Sequence, residues 1–220
     1  MDCCQCDLIE AQFDRETVAK KVERYRTRGL KKETEILVDA LLADGVEGCS
    51  LLDVGGGLGA LEFELLKAGA SQVTNVEASS AYIEAAKEES SRQGFSERVS
   101  HVHGDFVAIA RDVPPADVVT LDKVICCYDD MESLVAKSVR KANKLYGVIY
   151  PRDTWWVKAG IGIENLIRRL KGNSFRVIVH PTRAVDRLIK ENGLEKRFYR
   201  ALTDWQIVVY VRGEETELLG

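Results

Sequence analysis

Nowhere in its 220 residues does the chain have an apolar run long enough to span a bilayer. No apolar leader-like segment opens it either, so a cytoplasmic location is expected. Neither sign of charge dominates. Thirty-one Lys and Arg face 35 Asp and Glu, a formal net charge of −4, which gives no broad electrostatic case for nucleic acid. No segment repeats, and none is of low complexity. A second C-x-x-C is also missing. Cys3-x-x-Cys6 offers half of a zinc site, which takes four ligands when closed, and the adjacent Cys126 and Cys127 are poorly spaced for one ion. No metal is expected, and the six cysteines are expected to be reduced. What remains is ordinary for a soluble globular chain: 45% hydrophobic and 30% charged residues, with length for one sizeable core.

The most informative stretch is Leu51-Leu52-Asp53-Val54-Gly55-Gly56-Gly57-Leu58-Gly59-Ala60. An apolar run ends in an acid, a glycine-dense turn follows, and a helical pattern through Leu61, Phe63, Leu65 and Leu66 begins at once. This predicts a buried strand, a tight loop and a helix N-terminus whose free N–H groups face a ligand. Two glycine spacings fit. Gly55, Gly57 and Ala60 satisfy the dinucleotide pattern G-x-G-x-x-G/A, and Asp53 with Gly55, Gly57 and Gly59 satisfies a tighter D-x-G-x-G-x-G.

Further strands are predicted at 72–77, 98–103, 117–122 and 145–150, with helical patterns after the first, third and fourth of these. Residues 175–179 read as a short strand or linker, and Phe198-Tyr199 with 205–211 as a terminal antiparallel pair. Glu77 lies about 20 residues past the glycine loop, where a carboxylate accepts the ribose hydroxyls of a nucleoside ligand. That position serves NAD as well as other nucleosides. Two charged helices, near 13–28 and 30–42, precede the first strand. A third, with Trp155, Ala159, Ile163, Leu166 and Leu170 on one stripe and Lys158, Arg168, Arg169 and Lys171 around it, follows the fifth. Core packing, cover for an anionic or flat substrate, and a weak membrane-surface contact are all open to that helix.

The run LDVGGGLGA resembles motif I of the class I S-adenosylmethionine (SAM) methyltransferases. Gly104-Asp105-Phe106 is similar to the motif that family carries after its third strand. The segment Leu121-Asp122-Lys123-Val124-Ile125-Cys126-Cys127-Tyr128 resembles its post-strand-four motif, in particular that of the magnesium-protoporphyrin O-methyltransferase branch, with a cysteine where that branch has a histidine. The resemblance implies that Gly55, Gly57 and Gly59 wrap the methionine part of SAM and that Asp53 helps hold its ammonium group. It implies that Glu77, with Ala78, meets the ribose and that Asp105 and Phe106 hold the adenine. Tyr25 and Arg28 become candidates for a lid over the cofactor. Asp122 is expected at both the cofactor and the acceptor, with Tyr128, Cys127, Arg152 and His180 on the acceptor side. His101 and His103 read as structural.

The expected fold is α/β: a doubly wound, mostly parallel seven-stranded sheet with a reversed terminal strand. Residues 1–45 are expected as a helical lid, and 46–220 as the SAM-binding domain with an insertion around 152–180. The expected function is SAM-dependent methyl transfer to a small molecule, with no nucleic-acid partner; no N-P-P-Y-like motif follows strand four. Carboxyl O-methylation of a tetrapyrrole or thiol S-methylation are narrower forms. A nucleotide-binding dehydrogenase or a non-catalytic SAM-binding protein is the alternative of a different class.

Overall fold

A computed structural model describes residues 4–213 and, for side chains, 8–213. Three helices come first: α1 (Cys4–Gln12), α2 (Arg15–Arg28) and α3 (Lys32–Ala43). The alternating part runs β1 (Ser50–Val54), α4 (Ala60–Lys67), β2 (Gln72–Glu77), α5 (Ser80–Gln93), β3 (Val99–His103), α6 (Phe106–Ile109), β4 (Ala116–Asp122), α7 (Met131–Val139) and β5 (Ala142–Pro151). Then come α8 (Trp155–Leu170), α9 (Thr182–Glu191), β6 (Leu194–Ala201) and β7 (Trp205–Arg212). The strands form one sheet in the order β3-β2-β1-β4-β5-β7-β6. All pairs from β3 to β5 are parallel, and β7 runs antiparallel to both of its neighbours. The reversed strand is the last of the described strands but lies inside the sheet, where β6 shields one of its edges.

Local chemistry sets the element ends. Asp14, Ser79 and Asp130 accept backbone N–H bonds at the starts of α2, α5 and α7. At the end of α2, Gly29 takes φ 69° and donates its N–H to the Tyr25 carbonyl. The central strands carry continuous apolar faces, as a sheet covered on both sides requires, and two buried clusters form, one on each face.

Several elements depart from the expectations. Residues 4–12 form a helix rather than a tail, while Cys3 lies outside the described residues, as do the side chains of Cys4 and Cys6. The expected lid at 1–45 divides in two. Helix α3 is a core helix, with Leu37 and Leu41 fully buried against β5 and β7; a Cβ on Gly147 would come within 2.9 Å of Leu37 Cδ1. Helices α1 and α2 cover the sheet's C-terminal edge, where Phe13 packs on Tyr82 at 5.3 Å and on Phe175 at 5.9 Å. Of the two forms expected for residues 175–179, strand or linker, the structure has the linker. Their polar groups go to α8 and to the loop after β4: Asn165 bonds the Val177 backbone, and Ile178 N–H donates to the Cys126 carbonyl at 2.7 Å.

Helix α8 turns its stripe outward. Val157 is its buried residue, and Ile161, Asn165 and Arg168 are half-buried on the same side. Ile163, Leu166 and Leu170 are 56–78% exposed on the opposite face, so they are not core. Among the described residues no helix is long and apolar enough to cross a membrane.

Candidate active site

Parallel strands β1, β2 and β4 deliver an acid each to the same sheet edge, because each ends in one: Asp53 near the end of β1, Glu77 at the end of β2 and Asp122 at the end of β4. Asp105 follows β3 as the N-cap of α6. In open α/β sheets this carboxyl edge is where ligands bind. All four line one cavity of about 280 Å³, together with Gly55, Gly57, Ala78, Phe106, Cys127, Tyr128 and, from above, Tyr25.

The glycine loop is built for close approach. Gly55 has φ 67°, and a Cβ there would lie 2.5 Å from Val124 Cγ2. Beneath Gly56 sits a polar cluster: its Cβ would meet Glu62 Oε1 at 2.5 Å, Asn75 Nδ2 at 2.8 Å and Asp53 Oδ2 at 2.9 Å. Asp53, Glu62, Asn75 and Thr120 are all buried. Thr120 Oγ1 donates to Asp53 Oδ1 at 2.6 Å, and Asn75 Nδ2 donates to Glu62 Oε1 at 2.6 Å. Burial pushes the Asp53 carboxyl up to about 7. Burial first, then the charge of Asp53, hold Glu62 well above the ordinary range.

Glu77 is buried and pulled upward by that burial. It accepts from two backbone donors, Gly57 N–H at 3.0 Å and Ser79 N–H at 2.8 Å. These fix the carboxylate and the loop to one another. A carboxylate has about four acceptor positions, so capacity remains for a ligand. Asp105 accepts from Val107 N–H at 3.0 Å and from the Tyr128 hydroxyl at 2.9 and 3.0 Å.

At the other end of the cavity, Asp122 accepts from Thr34 Oγ1 at 2.6 Å and pairs with Lys123 Nζ at 2.8 Å. Lys123 also reaches Glu33 at 3.3 Å. Its φ of 64° is the one positive value at a non-glycine among the described residues. Strain of this kind belongs with functional loops. It aims the Val124–Tyr128 turn at the glycine loop. Both thiols of that turn donate to the Lys123 carbonyl, Cys126 at 3.3 Å and Cys127 at 3.4 Å. The bond with Cys126 holds the Cys127 thiol below its ordinary value.

Four expected site residues lie outside the cavity. Gly59 is the left-handed N-cap of α4, φ 84°, and leaves room for Glu62 and Phe63 instead. Arg28 shares a face with Tyr25, three residues before it, but it is the last residue of α2, is exposed and does not line the cavity. Arg152 donates to the Leu202 carbonyl at 2.9 Å and lies over Trp156 at 5.6 Å, joining the end of β5 to the β6–β7 turn. His180 Nε2 sits 3.0 Å from the Tyr128 carbonyl and props the turn from behind; burial lowers its pKa. His101 contacts Ser90 Oγ at 3.2 Å, and His103 contacts the Ala78 carbonyl at 3.0 Å.

The sequence reading missed Glu62, Thr120, Thr34 and three cations of the lid, Lys21, Arg24 and Lys31. One signal was available: Asn75, an amide in the middle of a buried strand, needs a polar partner. Among the described residues no group of His, Cys, Asp and Glu is placed to hold a metal ion.

Residues 8–150 match the family model described as an O-methyltransferase domain. Among curated proteins, protein arginine N-methyltransferase 1.1 of Arabidopsis thaliana is 28% identical over 145 residues, 66% of this chain. The chain spans only 32% of that relative's length. Among solved structures, the magnesium protoporphyrin IX methyltransferase of Synechocystis with bound SAM matches with a TM-score of 0.70 and 15% identity, over 96% of this chain and 98% of that one. An O-methyltransferase family protein from Burkholderia thailandensis matches with a TM-score of 0.71 and 14% identity, over 90% of this chain and 59% of the other. At these identities the likeness is one of fold.

Proposed function

Since the chain belongs to the O-methyltransferase domain family, we propose that it moves the methyl group of SAM onto a small-molecule acceptor. The observation that carries this reading is the meeting of Asp53, Glu77 and Asp105 with the glycine loop in one cavity. On this reading Glu77 takes the two ribose hydroxyls, with Ala78 beside it, and Asp105 and Phe106 hold the adenine. Asp53, Gly55 and Gly57 face the methionine end. Bound there, SAM supplies a methyl group already activated on a sulfonium.

The remaining task of the chain is geometric: to hold a nucleophile in line with that methyl group and exclude water. Asp122, Cys127 and Tyr128 border the end left for the acceptor. Asp122 is fixed by Thr34 and Lys123 and is placed to take a proton from an acceptor that must lose one. Helices α1 and α2 close the top, which suits a small acceptor, and the mild negative net charge argues against nucleic acid. Tetrapyrrole carboxyl and thiol acceptors are narrower versions of the same chemistry.

Calorimetric titration with S-adenosylhomocysteine (SAH), with NAD as control, tests the reading. Micromolar binding of SAH alone is expected; binding of NAD alone would move the chain to nucleotide-dependent redox chemistry. One variant separates the two ends of the cavity. Cys127→Ser is expected to keep SAH affinity within about twofold, since the thiol lies on the acceptor side. A tenfold loss, about 1.4 kcal/mol, would place that turn in the cofactor half.

A further inference from the structure

Lid cations fall into two sets. On the outward side, Arg15, Lys20, Arg26 and Lys32 each have a carboxylate partner, Glu84 at 3.1 Å, Glu16 at 2.6 Å, Glu89 at 3.0 Å and Glu35 at 3.0 Å, while Arg28 is exposed to water without a described one. On the inward side, Lys21, Arg24 and Lys31 line the cavity, and none has a described carboxylate within 4.0 Å. Arg24 reaches only the Gly29 carbonyl at 3.3 Å, and Lys21 lies over the Phe13 ring at 5.1 Å. Lys123, the fourth cation of the cavity, is already satisfied by Asp122 and Glu33.

Cations gathered in a partly buried space repel one another and lose hydration, so each is held there at a cost until an anion arrives. Lys21 shows both effects: burial comes first and the neighbouring Lys31 and Lys123 next in lowering its pKa. Lys31 is lowered in the same way, by burial and then by Lys123, against the smaller pull of Glu33 and Asp122.

The cavity's own acids, Asp53, Glu77, Asp105 and Asp122, equal its cations in number, but none of them pairs with Lys21, Arg24 or Lys31, and the cofactor does not supply partners for all three. SAM carries a sulfonium, an ammonium and one carboxylate, a net charge of +1. Its carboxylate answers one cation at most, and its binding adds positive charge overall. Two inward cations are left over.

We propose that the acceptor is a small organic anion, whose carboxylate or phosphate group is held by Lys21 with Arg24 and Lys31 beneath the lid. This rests on the methyltransferase reading for the word acceptor, but the anion site itself does not. The lid then selects by charge: it admits an acidic molecule from the α2 side, and the anion anchors it with its nucleophile toward Asp122 and the methyl group.

The test uses the full chain and three matched probes, benzoate, phenyl phosphate and neutral benzamide. Each is titrated calorimetrically into protein saturated with SAH and into protein without it. At least one of the two anions is expected to bind ten times more tightly than benzamide, and which of them does so identifies the preferred group. Lys21→Gln is expected to lose at least tenfold in that affinity while SAH binding stays within about twofold. Lys20→Gln, one position away and facing outward, is the control and is expected to change neither; thermal melts report that both variants fold. Equal binding of benzamide and both anions, or no response to Lys21→Gln, would overturn the proposal. Failure of SAH to bind would overturn the cofactor reading alone, because the titrations without SAH read the cation cluster by themselves.

Discussion

Replacing Glu77 with glutamine is expected to cut SAH affinity by at least about a hundredfold. Two ligand hydroxyls are assigned to this carboxylate, and hydrogen bonds to a charged group are worth about 1.5–3 kcal/mol each. The amide keeps one acceptor oxygen but turns a donor toward the other partner. The same substitution acts on the fold, since Glu77 accepts from Gly57 N–H at 3.0 Å and Ser79 N–H at 2.8 Å. One of those two donors would face an NH₂ group. Binding and stability are therefore measured together, by SAH titration and by denaturant unfolding at one pH. If unfolding shifts while SAH affinity holds, Glu77 is a brace for the loop and the ribose assignment fails. Glu77→Asp separates the effects further, because it keeps the charge and withdraws it by one methylene.

Stability is expected to fall as pH rises through neutrality, and Glu62→Gln is expected to remove much of that fall. Asp53 and Glu62 lie together under Gly56, both buried, both with raised pKa values. The sign follows from linkage. An acid whose native pKa is raised binds its proton more tightly when folded. Its contribution is fully present below the unfolded value and is lost as pH rises through the native one. For Asp53 that window runs from the ordinary carboxylate range to about 7. Between about pH 5 and pH 8 the loss from Asp53 alone is on the order of 2–3 kcal/mol, at 1.36 kcal/mol per pKa unit.

Glutamine at 62 preserves the cluster's shape. Its carbonyl accepts from Asn75 as Glu62 Oε1 does at 2.6 Å, and its NH₂ group donates to Asp53. The variant is expected to be more stable than the parent at pH 8 and to show a shallower pH slope, read from urea midpoints at the two pH values. A parent slope of zero, or an unchanged slope in Glu62→Gln, would mean that the pair is not the titrating element. Glu62→Leu is the contrasting variant. It leaves the Asn75 amide without its acceptor and is expected to destabilise at both pH values by about 1–3 kcal/mol.

Much of this architecture follows from local chemistry. Strands β1, β2, β4 and β5 are apolar runs because both of their faces are covered, and each is bounded by glycine, acid or proline. The acids at the ends of β1, β2 and β4 had to share an edge once those strands were parallel neighbours. Asp53, Glu77, Ala78, Asp105, Phe106 and Asp122 were therefore legible from spacing and motif resemblance, and all of them line the cavity.

Other features were marked only in part or not at all. Strand β6 was legible at Phe198-Tyr199, but its charged start, Glu195, Lys196 and Arg197, is strand because β7 supplies its hydrogen bonds. Residues 175–179 are apolar enough for a strand, yet no strand edge lies beside them. The stripe on α8 has helical spacing, but periodicity does not say whether a face meets the core or the solvent. Arg152 and His180 are polar residues near a ligand-bearing sheet edge in sequence, and their side chains are spent on backbone carbonyls.

Tyr25 and Arg28 sit three residues apart on one face of the same helix, and only the placement of that helix puts Tyr25 at the cavity and leaves Arg28, its last residue, exposed beyond it. The same placement leaves Lys21 and Arg24 lining the cavity while Lys20 and Arg26 find acids outside. Sequence by itself determined the sheet, the glycine loop and the acids at its edge, since these depend on chain order and on short-range backbone chemistry. Tertiary structure alone decided which lid cations meet the cavity and which carboxyls share a buried space, because charge and burial act between residues that no sequence spacing brings together.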